Sequence, residues 1–434
     1  MYRCGPDIQH YYSQYGRDDG GEFGRMSHQD SLARLILLSM KLLFVVSSLD
    51  LTQPFSATPA WWQLLKGLYE VGVEVIATPY QGPAIESLWW RAEPNPAKLH
   101  GDTFKFARDA VNKIRGEQQQ AQLGDTSDET ASDKLVRRAA QSLVAPIWSR
   151  HLDRILTRQP DIDAVIFLTV PLNQLVGVAT EVRRKHGKPV FYYDGDVPAS
   201  LPNMKGFATG FRIYQGADPA EYTAFISNSA GAAQALRDLG ARAVHPLFYG
   251  VDPGVFSDMS VPEQDIDVMF YGHGREYRSG WIDAMITAPS RAMPDARFAV
   301  RGTKLGDLGR TKMLPYLSFS KLREYSCRTK INLCITRLAH ASVYASSSSR
   351  PFELAAMRAC IVANPYEGIE NWFEPGKELF VVNSQEEAID RYRYLLSHEK
   401  ERLAMGDAAR ARVMKEHTFQ HRAHQLVEII KQYL

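Results

Sequence analysis

Short apolar runs of strand length, separated by helical stretches, recur along most of the chain. The first set is Leu42 to Val46, Val73 to Ala77, Ala164 to Leu168, Pro189 to Tyr193, Ala224 to Ile226 and Ala243-Val244. The second is Ile266 to Tyr271, Arg297 to Val300, Ile331 to Ile335, Cys360 to Ala363 and Leu379 to Val382. Strands that stay apolar throughout and alternate with helices belong to parallel sheets covered on both faces. The pattern predicts an α/β chain of two doubly wound domains. They join near Tyr249-Gly250-Val251-Asp252-Pro253-Gly254, a stretch rich in turn residues. In open α/β sheets ligands bind beyond the carboxyl ends of the strands, so the site is expected where the two domains face each other.

Bulk properties exclude several other classes. A chain of 434 residues has room for two or three domains. Its 45% hydrophobic and 23% charged residues are those of a globular protein, not a collagen, coiled coil or disordered chain. A net charge of +2 falls short of a nucleic-acid footprint. Four cysteines without a C-x-x-C pair make no disulfide scaffold, which predicts a cytoplasmic setting. The most membrane-like stretch, Leu32 to Leu49, is interrupted by Arg34 and Lys41, whereas a spanning helix needs ~20 apolar residues. No transmembrane segment and no secretory signal are expected. Residues 1–38 read as a loose tail. Residues 78–160 show no clear strand, with helices expected near 103–115 and 133–158 and a flexible polar loop over 116–133.

Three segments carry candidate chemistry. Ser346 to Ser349, then Arg350-Pro351-Phe352-Glu353, precede a helical stretch and a strand. Serines cap helices, and Pro suits a first turn. A helix N-terminus is also a phosphate site, onto which Arg350 can fork. Glu353 either favours the helix dipole or accepts from a ribose diol. Tyr271-Gly272-His273-Gly274 lies past a strand, as does Arg301-Gly302. Glycine there makes a tight turn or lets backbone approach a ligand, with Arg275, Arg278 and Arg301 near a diphosphate or in solvent. Asp194-Gly195-Asp196 follows the strand ending at Tyr193 and reads as a turn, a catalytic carboxylate pair or a divalent-cation site. Trp62 belongs to an apolar helical stripe, while Trp61 and Trp89 are candidates to line a cleft. No H-E-x-x-H, G-x-S-x-G or P-loop spacing occurs, so no zinc site, serine elbow or nucleotide loop of those kinds is expected.

Arg350-Pro351-Phe352-Glu353 with the following helix and strand resembles the donor-site signature of GT-B glycosyltransferases, and most closely their CgeB-type, spore-maturation-like branch. Phe373-x-Pro375-Gly376-Lys377-Glu378 resembles that family's next segment. Phe225 to Ser229 and Tyr249-Gly250-Val251-Asp252-Pro253 resemble the end of the first domain in family-4-like transferases. The resemblance implies two Rossmann-like domains facing across a cleft. Residues 39–252 would form the acceptor domain and 253–415 the nucleotide-sugar domain, with 416–434 packing back on the first.

The same resemblance places Ser349, Arg350, Phe352 and Glu353 in the donor site, with Glu353 on the ribose. Gly272, His273, Gly274, Arg278 and Arg301 would lie near the diphosphate. The family-4 pattern has a second glutamate eight residues earlier, where this chain has Ala345, which puts retention of configuration in doubt. Asp194 and Asp196 are the candidate bases for an inverting reaction. The expected donor is a UDP-sugar, with no cofactor and no metal. The acceptor is left open among saccharide, lipid, protein and modified nucleic acid. Rival readings are a sugar-nucleotide epimerase or phosphorylase, a non-catalytic nucleotide-sugar-binding partner, and a transferase on modified nucleic acid.

Overall fold

The computed structural model describes residues 40–50, 60–97, 131–204, 213–274, 278–315 and 319–434. The tail at 1–38, the helix expected over 103–115 and most of the loop expected over 116–133 lie outside these residues. The first sheet contains β1 (Lys41–Ser48), β2 (Glu74–Gln81), β3 (Arg91–Ala92), β4 (Ala164–Leu168), β5 (Val190–Asp194), β6 (Ala224–Ser227) and β7 (Val244–Pro246). Its order is β3-β2-β1-β4-β5-β6-β7, with every pair parallel. The second contains β8 (Ile266–His273), β9 (Phe298–Thr303), β10 (Lys312–Met313), β11 (Thr329–Cys334), β12 (Ile361–Ala363) and β13 (Phe380–Val381). Its order is β10-β9-β8-β11-β12-β13, again all parallel. The expected fold class is therefore observed. Both sheets reverse direction of growth at one point, between β1 and β4 and between β8 and β11, where α/β sheets open a ligand crevice.

The apolar runs work because both faces of each strand are covered. Successive side chains of β1 point to opposite faces. Leu43 and Val45 join a core with Trp148, Leu152 and Ile155 of α2 (Ala145–Arg158). Leu42, Phe44 and Val46 join another with Leu64, Leu65 and Leu68 of α1 (Ala60–Glu70). Gly72, at φ 95°, closes α1 in a left-handed turn that a side chain would resist. The helical stretch read over 133–158 contains one π turn at Ala140–Val144. β2 runs on to Gln81, and β3 and β10 are two-residue edge strands, too short to print a period of their own.

The chain crosses between domains twice, and the crossings lie side by side. Val251 N donates to His417 O at 3.1 Å, and Phe419 N donates to Val251 O at 2.9 Å. The last helix, here named for its place after α3 (Val178–His186), α4 (Ala233–Asp238), α5 (Ser349–Ala356), α6 (Gln385–Ser397) and α7 (Glu399–Glu416), is α8 (Phe419–Lys431). It packs on α1 with Phe419, Leu426, Val427 and Ile430 buried in the first domain's core. Gly67 permits that approach, since a Cβ there would lie 2.7 Å from Phe419 O. Buried Arg422 ties the crossings together through Tyr249 O at 3.0 Å and Glu416 O at 3.2 Å.

Candidate active site

On the first domain, a cavity of about 230 Å³ opens at the carboxyl ends of β1, β4 and β5, at the switch point. Trp61, Thr169, Asp196 and Tyr249 line it. Thr169 sits at φ 48°, an outlier for a β-branched residue. Its hydroxyl accepts from Gly195 N at 3.2 Å, which fixes the turn carrying both aspartates. Of the two aromatic residues expected to line a cleft, Trp61 does so. Trp89 instead stacks on Trp62 at 5.7 Å, as one member of a tryptophan cluster.

The turn separates the two carboxylates. Asp194 is 0% exposed and accepts from Ser200 Oγ at 2.6 Å, Tyr214 OH at 2.7 Å and Asp196 N at 2.9 Å. Three protein donors hold this buried carboxylate, which anchors the turn. Asp196, by contrast, has 33% of its side chain exposed at the cavity and pairs with Arg337 of the second domain. With one carboxylate saturated by protein donors and the other held by an arginine, the pair does not fit a divalent cation.

Burial pushes the Asp194 carboxyl up from 3.8 to about 6. A folded pKa above the unfolded one means the native state holds the proton more tightly. The resulting stabilisation is complete below about pH 4 and is lost as pH rises through 6. Removing the titration with Asp194→Asn is expected to raise stability relative to the parent by about 3 kcal/mol between pH 4 and 7. Urea unfolding at both pH values checks this, and a pH-independent difference contradicts it.

On the second domain, the carboxyl ends of β8 and β11 meet the start of α5. The Arg350 guanidinium lies 3.1 Å from the ring centroid of Tyr271, and Tyr271 OH donates to Glu353 Oε2 at 3.3 Å. Arg350 Nε is 3.8 Å from the same oxygen. Glu353 is 1% exposed, and burial raises its pKa. Burial likewise lowers Arg350 to about 10. Among the described residues, Glu353 Oε1 and Arg350 Nη1 have no hydrogen-bond partner. A buried carboxylate oxygen and a buried guanidinium N–H left open at a sheet's switch point are places for a ligand's hydroxyl and oxyanion. Ser348, the residue before α5, makes no side-chain cap, so the first N–H groups of the helix stay available.

The other expected donor residues divide into two groups. Gly272 and His273 end β8 paired with Gly302 and Thr303 of β9, Gly274 N donates to Thr303 O at 3.0 Å, and His273 Nδ1 lies 2.6 Å from Thr303 Oγ1. A Cβ on Gly274 would meet Lys304 O at 1.9 Å, so glycine here serves the close approach of two backbones. Arg278 Nε donates to Ile335 O at 3.2 Å, at the end of β11. Arg301 stands beside Tyr271 in the ladder. Ser349 is the first residue of α5, one turn before Glu353. Phe352 is fully buried, with its ring 5.9 Å from Trp372 and 5.6 Å from Phe373. Helical geometry turns it to the face opposite Arg350.

Arg337 and His340 were not singled out in the sequence. Ser346 and Ser347, read there as part of a serine cap, form an interdomain seam. Ser346 Oγ lies 2.6 Å from Ser229 Oγ, and Ser347 N donates to Asn228 O at 2.8 Å. Arg337 Nε donates to His340 Nδ1 at 2.9 Å. Burial, with Arg337 and Arg278 beside it, holds His340 well below the usual imidazole range, and so neutral. Arg337 stands just past the end of β11, a position that itself marks a ligand-facing residue in such sheets. Ala345, where the family pattern has a glutamate, is buried at φ 46° with its carbonyl accepting from Ala230 N at 3.1 Å.

Comparison with known proteins agrees with this geometry. Residues 276–428 match the family model described as glycosyl transferase-like. Sucrose-phosphate synthase from Thermosynechococcus elongatus superposes with a TM-score of 0.58 at 12% identity, covering 91% of this chain and 98% of that one. The chain has the GT-B glycosyltransferase fold. The same GT-B frame is found in Anabaena HepE, solved with UDP-glucose (TM-score 0.54, 12% identity, 91% and 100% covered). Trehalose-6-phosphate synthase OtsA also shares it (TM-score 0.57, 13% identity, 91% and 99% covered). No curated protein sequence matches the chain. Among the described residues no helix is long and apolar enough to cross a membrane.

Proposed function

We propose that this chain is a glycosyltransferase of the CgeB-type branch, moving a sugar from a UDP-sugar to an acceptor hydroxyl without a metal. The observation that carries this reading is the open Glu353 Oε1 beside Arg350 at the second domain's switch point. Glu353 accepts from the ribose hydroxyls. Arg350, Arg278 and the free N–H groups of α5 balance the diphosphate. A uridine nucleotide is the donor class because HepE, on the same frame, was solved with UDP-glucose.

The acceptor rests in the cavity lined by Trp61 and Thr169, with its hydroxyl toward Asp196. As that oxygen bonds to the anomeric carbon, the bond from carbon to the diphosphate oxygen breaks, and Asp196 takes the hydroxyl proton. The products are the glycoside and UDP, with inversion at carbon. Charge on the leaving diphosphate is met by fixed dipoles and guanidinium groups, which need no reorganisation as it develops. The Ser346–Ser347 seam and the paired crossings hold the two half-sites in register.

Incubated with UDP-glucose alone, the protein is expected to release UDP slowly by hydrolysis, at a rate unchanged by EDTA. A rate abolished by EDTA and restored by Mn²⁺ overturns the metal-free reading. New sugar-nucleotide isomers without UDP release would identify an epimerase instead.

A further inference from the structure

A second cavity, also of about 230 Å³, lies at the opposite end of the second sheet, at the amino ends of β11 and β12. Its wall includes Ser326, Lys330, Arg358 and Arg402. Two of these side chains are buried with a donor left over. Ser326 is 1% exposed and its hydroxyl has no partner among the described residues. Arg402, on α7, is 4% exposed and donates through Nη1 to Leu395 O at 2.9 Å, yet its Nε–H has no partner. Leaving a buried donor unmade is costly, and more so on a charged group. Two in one wall call for an acceptor.

Three cationic side chains and one carboxylate, Asp258, line the cavity. Lys330 pairs with Asp267 at 2.8 Å, Arg402 lies 3.5 Å from Glu399, and Arg410 engages Asp258 at 3.3 Å. Arg358 adds an independent sign. It occupies the left-handed position that ends α5, at φ 61°, where glycine is the unstrained residue. Its backbone closes the helix through Arg358 N to Ala355 O at 2.9 Å, and its side chain reaches Asp407 at 2.8 Å. A cationic side chain is thus kept on the cavity wall despite backbone strain.

We infer that this cavity is a binding site for a small oxyanion, a phosphate or carboxylate group, held by Ser326 Oγ and the Arg402 guanidinium and separate from the nucleotide cleft. The site abuts the carboxyl end of the same helix whose first turns carry Arg350 and Glu353.

The test titrates inorganic phosphate into the full chain by calorimetry, with UDP saturating and chloride matching the ionic strength. One phosphate is expected to bind with UDP present. Ser326→Ala should weaken it roughly tenfold, and Arg402→Lys more. UDP affinity in phosphate-free buffer shows that both variants are folded. Phosphate binding that UDP abolishes would place the anion in the donor cleft and overturn the inference. So would binding no stronger than chloride's, which leaves the cavity to water, or binding that both variants retain.

Discussion

Asp196→Asn is expected to lower kcat by about 10² to 10⁴, the usual contribution of a positioned general base. UDP affinity should stay within a few fold, because Asp196 lines the first domain's cavity and neither Glu353 nor Arg350 does. Asparagine keeps the length of the side chain and can still accept from Arg337, so the bridge across the cleft is weakened without a cavity being opened. What it cannot do is take a proton. The neighbouring aspartate is the control. Asp194→Asn alters a fully buried residue beneath the turn and is expected to affect stability in the pH-dependent way described above, with a much smaller change in kcat. A double displacement or a donor-assisted route would leave the Asp196→Asn enzyme nearly as active as the parent, and steady-state rates with any turned-over acceptor decide between them.

Ending the chain after His417 is expected to unfold the first domain, although the last helix follows the second in sequence. Phe419, Leu426, Val427 and Ile430 are buried against Leu64, Leu65 and Leu68. Each contributes about 1.5 to 3 kcal/mol by burial. Together that is roughly 6 to 12 kcal/mol, comparable with the whole stability of a typical domain, 5 to 15 kcal/mol. The truncated chain also uncovers the apolar face of α1 and loses Arg422, which joins the two crossings. Loss of the cooperative unfolding transition in circular dichroism is the expected result. A truncated chain that melts like the parent contradicts it.

The sheets were legible in the sequence because burial on both faces leaves an apolar run with no alternation to misread. Ala164 to Leu168 shows this plainly, and every one of its residues is buried. The two-residue strands β3 and β10 carried no such signal. The helix α5 was legible through its start, since serines, Arg350 and Pro351 announce an N-terminus before any fold is known. What each side chain meets was less so. Asp194 and Asp196 look alike in a D-G-D turn, yet Asp194 ends β5 and is buried, while the turn that follows leaves Asp196 at the cavity. Phe352 sits inside the motif but on the core face of α5. Tyr271, which stacks Arg350 and reaches Glu353, is distant in sequence, and only the β8–β11 pairing brings it there. Arg337 and the Ser346–Ser347 seam depend on how the two domains meet, which no local pattern encodes.

The central claim is that the open carboxylate oxygen of Glu353 receives the ribose of a uridine nucleotide. Calorimetry of UDP binding to the parent and to Glu353→Gln tests it most directly. The substitution keeps shape and removes the charge that two hydroxyl donors would meet, so affinity should fall about 10- to 100-fold with the melting transition retained. Equal UDP affinity in the two proteins, or no UDP binding by the parent at all, would contradict it.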